Sequence, residues 1–164
     1  MDSDYPWIIF SYKSPSETST LRVRAWRILR RIGALSLQQS VCAVPNTPET
    51  TRKLHQLAEL IQEGGGETLW LDVTQFSAET TKELSRRFNL ERSAECSEFI
   101  EACSALTRAS EPEESEVELK RLQKWLRKLK ARDYFQCGDM EAAERCLERL
   151  EREFELVRVE DTGP

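Results

Sequence analysis

In the first part of the chain, some segments have the residue types of a β-strand and others have apolar residues at the 3.6-residue spacing of an α-helix. Residues 7–12 (WIIFSY) are β-branched and aromatic, which predicts a buried strand. After a break at Ser14 and Pro15, apolar residues recur every three or four positions over about residues 19–33, which predicts an amphipathic helix that ends at Gly33. Its apolar stripe consists of Leu21, Ala25, Ile28, Leu29 and Ile32.

The next segment repeats the change of period. Residues 35–44 predict two short strands with a turn between them, or one bent strand. Thr47 is a helix N-cap candidate, and Pro48 at the first helical position predicts a second helix, which ends at glycines 64–66. Residues 67–73 (ETLWLDV) predict a last strand.

From about residue 78 the pattern is helical. Residues 78–107 predict one or two helices, and a polar break follows. Residues 115–133 and 139–156 predict two more helices, which we expect to form an antiparallel hairpin over about residues 115–156. The expected core of this part includes Leu90 and the inward-facing Val117, Leu122 and Trp125 among others.

The order of elements predicts an α+β protein. A β-α-β-β-α-β order is the ferredoxin-like arrangement, an antiparallel sheet of four strands covered on one face by two helices. The expected organisation is a ferredoxin-like unit at residues 1–77, a helical C-terminal extension packed on it at 78–158, and a flexible tail at 159–164. The second face of the sheet must be covered by the extension or by a second chain, so a homodimer is expected.

Composition narrows the function. The 164 residues are 39% hydrophobic and carry a net charge of −5, so the overall charge does not indicate nucleic-acid binding. We find no signal peptide and no apolar run approaching the ~18 residues that span a bilayer, so a cytoplasmic protein without membrane contact is expected. Five arginines nevertheless fall within ten residues of the first predicted helix.

That arginine-rich helix is the sharpest feature of the sequence. The only acidic residue nearby is Glu17, and the guanidinium group suits planar recognition of oxyanions. One hypothesis is that the arginines bind DNA phosphates; the alternative is that they form the solvated faces of an amphipathic helix. The predicted DNA-binding residues are Arg22, Arg24, Arg27, Arg30 and Arg31.

The start of the same helix could hold a small oxyanion. Hydroxyl side chains, free backbone N–H groups and one arginine occur together there. The residues concerned are Ser16, Thr18, Ser19, Thr20 and Arg22. The alternative is that these are ordinary N-cap residues, which are commonly Ser or Thr.

A second basic stretch begins near residue 121. It contains Arg121, Lys124, Arg127, Lys128, Lys130 and Arg132. We expect it to form ion pairs with the acidic last helix rather than to bind a ligand, and each exposed pair would contribute little. The tryptophans are expected mainly in the core, and Trp26, beside the arginines, is expected to pack against the neighbouring helical region, with stacking on a partner as the alternative.

The chain offers few groups for catalysis or metal binding. The five cysteines include no C-x-x-C pair, their spacings fit no structural zinc site, and His55 is the one histidine. Core packing is the preferred interpretation of Cys96 and Cys103, with an oxidation-sensing thiol as the alternative. No nucleophile elbow, phosphate loop or H-E-x-x-H motif is present, so we expect no enzyme activity, no metal and no cofactor.

Several segments together resemble the N-terminal domain of the chromate-resistance regulator ChrB. They are WIIFSY at 7–12, STLRVRAWR at 19–27, Gly33-Ala34, and the stretch 122–135 with Trp125-Leu126 and RDYF at 132–135. The first half is distantly similar to the ferredoxin-like domain of phenylacetate-pathway repressors and of Cas2 nucleases. Cas2 has a metal-binding aspartate at the end of its first strand, but residues 10–13 (FSYK) carry no carboxylate, so nuclease activity is not expected.

The resemblance implies a bacterial, chromate-responsive transcription regulator. Members of that family usually carry a second, C-terminal domain, and here we expect it to be missing or supplied by a separate chain. The expected partners are duplex DNA and chromate or another oxyanion. The alternative function is a non-catalytic protein-interaction module, or an oxyanion-sensing subunit without DNA contact. Exposed guanidinium groups at Arg24, Arg27 and Arg31 would favour anion binding, whereas buried pairs would favour a structural role.

Overall fold

The computed structural model describes residues 6–15, 19–109 and 112–161. The chain divides into two compact units, Met1–Phe88 and Asn89–Pro164.

The first unit contains an antiparallel sheet and two helices that connect its strands. Its four strands have the order β2-β3-β1-β4, and every neighbouring pair is antiparallel. The α+β class and the four-stranded antiparallel sheet are thereby confirmed, while the ferredoxin-like name stays a prediction. The elements are β1 (Trp7–Lys13), α1 (Ser19–Arg31), β2 (Leu35–Gln38), β3 (Val41–Pro45), α2 (Pro48–Glu63) and β4 (Glu67–Val73).

Local chemistry fixes the turns of this unit. Ser40 has a φ of 60° in the tight turn between β2 and β3. Thr47 caps α2 as predicted: its hydroxyl accepts the backbone N–H of Thr50, and the Thr50 hydroxyl accepts that of Thr47. Gly66 lies where a Cβ atom would come within 2.6 Å of the Lys13 carbonyl oxygen, so only glycine lets β4 start this close to the end of β1.

The core of the first unit lies between the sheet and its two helices. Phe10 is fully buried, and Trp70 of β4 packs edge-on against it with ring centroids 6.1 Å apart. His55 of α2 stacks on the outer side of Trp70 at 4.7 Å. The buried members of this core are Ile8, Phe10, Ala25, Leu29, Ile32, Cys42, Val44, Leu54, Leu57 and Ile61.

The opposite face of the sheet is covered over only part of its width. Trp7 is buried against Phe76 and Phe88, with centroid distances of 5.3 and 5.8 Å. Leu69 and Leu71 of the edge strand β4 remain 56% and 47% exposed. Phe76 and Phe88 therefore cover the Trp7 end of β1, whereas Leu69 and Leu71 of β4 stay exposed.

The second unit is helical. It contains most of α3 (Ala78–Ala109), which is one continuous helix, and all of α4 (Pro112–Ala131) and α5 (Met140–Asp161). Phe99 packs edge-on against Trp125 at 5.3 Å in its core. The buried residues are Cys96, Phe99, Cys103, Leu106, Leu122, Leu126, Leu129, Cys137, Met140, Ala143, Leu147 and Leu150.

Two residues predicted in this core lie outside it. Leu90 is 55% exposed and Val117 is 69% exposed, so both predictions were wrong. The buried stripe of α3 instead passes through Phe88 and Arg92, and that of α4 through Ser115 and further positions three or four residues apart. Leu90 and Val117 each lie two positions from such a residue, about 200° around the helix.

The charged residue in the α3 stripe is held by one carboxylate. Arg92 is 2% exposed, and its Nη2 lies 2.7 Å from Oε1 of Glu95. The other oxygen of Glu95 pairs with Arg132 at the end of α4, and Glu91 lies 3.5 Å from Arg92 Nη2. Because Nε and Nη1 of Arg92 have no hydrogen-bond partner among the described residues, Glu95 is its main compensation.

Four of the five cysteines are buried as small core residues, and Cys146 is partly buried. The sulfur atoms of Cys96 and Cys137 are 4.0 Å apart, and the Cys103 thiol interacts with that of Cys146. Burial raises the pKa of Cys42, Cys96 and Cys103 to about 12, and for the last two the neighbouring thiol adds to the rise. The predicted burial of Cys96 and Cys103 in the core is thus confirmed.

We predict that Glu95→Gln destabilises the protein by about 3 kcal/mol or more, because it leaves two largely buried guanidinium groups without their shared counter-charge. Urea unfolding followed by circular dichroism measures this. The matched control is Glu83→Gln, which removes a carboxylate from an exposed pair with Arg86 on the same helix and should change the midpoint little. Equal effects of the two substitutions would contradict this account of Glu95.

We also predict slow alkylation of the buried thiols. At pH 8 a thiol of pKa about 12 is almost wholly protonated, so Cys42, Cys96 and Cys103 should react with iodoacetamide on the order of a thousandfold more slowly than in the unfolded chain. Mass spectrometry of labelled peptides measures the rates. Since folding raises these pKa values, their contribution to stability is complete at lower pH and is lost as pH rises from about 9 to about 12. Rapid labelling of the native protein would instead favour the oxidation-sensing alternative.

Candidate functional site

Helix α1 separates apolar from basic residues around its circumference. On its inner side Ala25 and Leu29 are buried, as is Ile32 directly after the helix. The arginines of α1 are exposed. The first turn of the helix has no acidic side chain, and Arg30 and Arg31 lie in its last turn, where the helix dipole favours positive charge. The packing of one face therefore presents the arginines to solvent.

An open groove of about 690 Å³ runs between α1 and α2. Three arginines of α1 and one lysine of α2 line it, and no acidic side chain does. The lining residues are Thr20, Val23, Arg24, Arg27, Ile28, Arg31, Lys53 and Gln56. We call this the basic groove. Four positive charges along low-dielectric walls without a counter-charge produce a local field that attracts anions.

The groove's cations have no protein partner among the described residues. None of Arg24, Arg27, Arg31 and Lys53 forms an ion pair or side-chain hydrogen bond within residues 6–15, 19–109 and 112–161. The three arginines are exposed, which is the arrangement expected of an anion-binding surface rather than of a structural one. Their assignment as DNA contacts stays a prediction.

The other flank of α1 combines an arginine with an exposed aromatic ring. Trp26 is 54% exposed, so its predicted place in the core was wrong. Arg30 lies over the ring, with its Cζ 5.2 Å from the centroid, in a cation–π contact. Arg22 is exposed one turn earlier. The five predicted arginines thus divide between the basic groove and this flank.

The spacing of the groove arginines suits a polyanion. Arg24 and Arg31 are seven residues apart, so they span about 10 Å along the helix axis. Each DNA strand carries one phosphate charge per about 3.4 Å of duplex axis, so a span of this length can lie beside more than one phosphate. Arg27 lies between the two. A row of this length matches a repeated charge better than it matches a single small ion.

The predicted oxyanion site at the start of α1 lies partly outside the described residues. Thr20 lines the basic groove and Arg22 is exposed. Ser16, Thr18 and the side chain of Ser19 lie outside the described residues, as does Glu17. This site stays a prediction.

Three of the six cations in the second basic stretch, on and directly after α4, form ion pairs. Lys130 pairs with Glu144 of α5, as predicted for this stretch, whereas Arg121 pairs with Glu118 of its own helix at 3.2 Å. Arg132 pairs with Glu95. The remaining three cations are exposed and form no ion pair in the described part of the chain. They are Lys124, Arg127 and Lys128, which we call the α4 patch.

Sequence reasoning missed Lys53 as a member of the site. Lys53 directly precedes the buried Leu54 of α2. A helical-wheel projection of α2 alone therefore places Lys53 at the edge of the buried stripe. Its nearness to the α1 arginines depends on how α1 and α2 pack together, which no local pattern contains.

The described residues offer no metal-binding cluster and no membrane-spanning helix. Among residues 6–15, 19–109 and 112–161, no three His, Cys, Asp or Glu side chains are grouped so that they could hold a metal ion. Within the same ranges, every helix is too short or too polar to cross a membrane. The described acidic side chains near the basic groove all lie outside its lining.

Comparison with known proteins places the chain. No solved structure matches it. The protein ChrB of Cupriavidus metallidurans is 30% identical over 112 residues, which are 68% of this chain and 34% of ChrB, so the chain corresponds to about a third of that relative's length. The sequence pattern of the family described as "Protein ChrB, N-terminal" matches residues 22–157. The match includes α1 from Arg22 onward, both sides of the basic groove and most of the helical unit, and the chain therefore belongs to the ChrB N-terminal family.

Proposed function

We propose that this chain is a bacterial, cytoplasmic, chromate-response regulatory protein that binds duplex DNA through the basic groove. The link to chromate and to regulation is based on membership of the ChrB N-terminal family. The proposed DNA contact is based on the residues that line the basic groove. Its action is binding rather than catalysis. The strand order β2-β3-β1-β4 supports the ferredoxin-like assignment that goes with this proposal.

One observation carries the proposal: three arginines and a lysine from two helices converge on one groove without a carboxylate. Keeping four cations together without acidic partners costs self-repulsion, which an anionic ligand relieves. The same chain pairs arginines at Arg92 and Arg132 with Glu95 where their role is structural. The absence of such pairing in the groove lining therefore supports a ligand-binding role.

A small oxyanion is the second candidate ligand, because Thr20 adds a hydroxyl beside the arginines. The groove is open and long, however, and chromate carries only two charges. We therefore propose DNA as the main ligand and chromate as the effector that changes DNA affinity.

We expect wild-type protein to bind labelled duplex DNA in a fluorescence anisotropy titration, with affinity that falls steeply as salt rises. Arg24→Ala/Arg27→Ala/Arg31→Ala should weaken binding. It should also make the negative slope of log K against log salt shallower by about 3, because each phosphate contact contributes about −0.9 to that slope. Duplexes from upstream of the gene and of unrelated sequence are compared, each with and without chromate.

The matched control is Lys124→Ala/Arg127→Ala/Lys128→Ala, which removes the same number of charges from the α4 patch. The proposal predicts that this control keeps the wild-type slope. Equal losses in both triple variants would indicate a general charge effect, and no binding by folded wild type at low salt would refute DNA binding. Chromate that leaves the DNA affinity unchanged would remove the effector role only.

A further inference from the structure

The two edges of the sheet differ in how they are protected. β2, at one edge, is only four residues long and is interrupted by a register shift between Ser36 and Gln38. Arg87 Nη2 also donates a hydrogen bond of 2.6 Å to the Ser36 carbonyl. Short length, an irregular register and a covering side chain are the devices by which natural proteins block strand addition.

β4, at the other edge, has none of these devices. It is seven residues long, and all seven pair in unbroken register with β1. Within the described ranges, no backbone hydrogen bond joins its outer edge to another segment. The strand contains neither proline nor lysine. A long, regular and open edge of this kind is a template for another strand.

Two of the four exposed residues of β4 are leucines, and the other two are acidic. Leu69 and Leu71 lie on the face opposite α1 and α2, next to Ser11 and Ile9 of β1, and about half of each side chain is exposed. Two neighbouring leucines on an open strand edge favour a covered state over a solvated one.

We propose that a second copy of this chain pairs with this edge, β4 against β4, antiparallel and centred on Trp70. That register uses all seven residues of each strand. It places Leu69 opposite Leu71 of the second copy, and Leu71 opposite its Leu69. Because directly opposite residues of an antiparallel pair share a face, the leucines of both copies form one continuous apolar stripe.

The charges of β4 favour a copy of itself in this register. The strand has two acidic residues and no basic one, so a self-pairing could bring like charges together. Centred on Trp70, Glu67 lies opposite Val73 of the second copy, and Asp72 lies opposite its Thr68. No carboxylate faces another. Asp72 is also held by Trp70 Nε1 at 2.8 Å on its own chain.

The pairing has a consequence for the basic groove. A twofold axis at Trp70 stands perpendicular to the sheet, because the paired residues lie on the same face. The α1 and α2 helices of both copies then lie on one side of an eight-stranded sheet, and two basic grooves are presented together. The dimer itself does not depend on the proposed DNA binding, so its test is separate.

The test is sedimentation velocity of the full chain over a range of concentrations. Wild type is expected to be a dimer, and Leu69→Lys/Leu71→Lys a folded monomer by circular dichroism. The matched control, Leu90→Lys/Val117→Lys, places two lysines at other exposed apolar positions, in the helical unit, and should remain dimeric. A monomeric wild type, or a dimer that survives the β4 substitutions, would overturn the proposal.

Disulfide trapping tests the register and does not require a destabilised variant. Leu69→Cys and Leu71→Cys chains, mixed under mild oxidation, should give a cross-linked dimer that forms much less with either variant alone. Wild type, which keeps its five native cysteines, is the control and should give none. Cross-linking that is as efficient with one variant alone as in the mixture would refute pairing about Trp70.

Discussion

Burial of one apolar face of α1 is the constraint on which the candidate site depends. Ala25, Leu29 and Ile32 are removed from water against the sheet and α2, and a buried side chain of this kind contributes roughly 1.5–3 kcal/mol when it is large. With that face fixed inward, the helical repeat leaves Arg24, Arg27 and Arg31 no place but the outer surface. The packing that stabilises the unit is therefore also what collects positive charge in one groove.

The two units use arginine in opposite ways. Arg92 and Arg132 share Glu95 in the helical unit, where removal from water requires a counter-charge. In the first unit, the groove cations stay solvated and unpaired among the described residues, so their charge remains available to a ligand. A net charge of −5 for the whole chain hides this difference, because the excess of acidic residues lies elsewhere. Local charge is the relevant quantity for binding.

Sequence periodicity predicted most of the fold because the decisive signals are local. The Thr47 cap, the turn at Ser40 and each apolar stripe of α1 and α2 depend on residues that are only a few positions apart in the chain. The five exposed arginines were found for the same reason. Lys53 was missed because its place in the groove depends on how two helices pack.

The wrong predictions of core residues have a different cause. Trp26, Leu90 and Val117 were placed in the core from their hydrophobicity, whereas the buried stripes follow helical phase and include a charged residue at Arg92. An arginine can occupy such a position only when a carboxylate compensates it, and for Arg92 that carboxylate is Glu95, three residues further along α3. The pairing of Glu95 with Arg132, at the end of α4, cannot be read from either helix alone. The exposure of Leu69 and Leu71 likewise depends on tertiary packing, which the sequence of β4 alone does not contain.

The central claim is that the basic groove, and not the α4 patch, is where this chain meets a polyanion. Backbone amide chemical shifts during titration with a short DNA duplex test it most directly, because they report the contacted surface residue by residue. The account predicts that the largest shifts fall on α1 and around Lys53, and that those of Lys124, Arg127 and Lys128 stay small. Shifts concentrated on α4, with α1 unchanged, would contradict it.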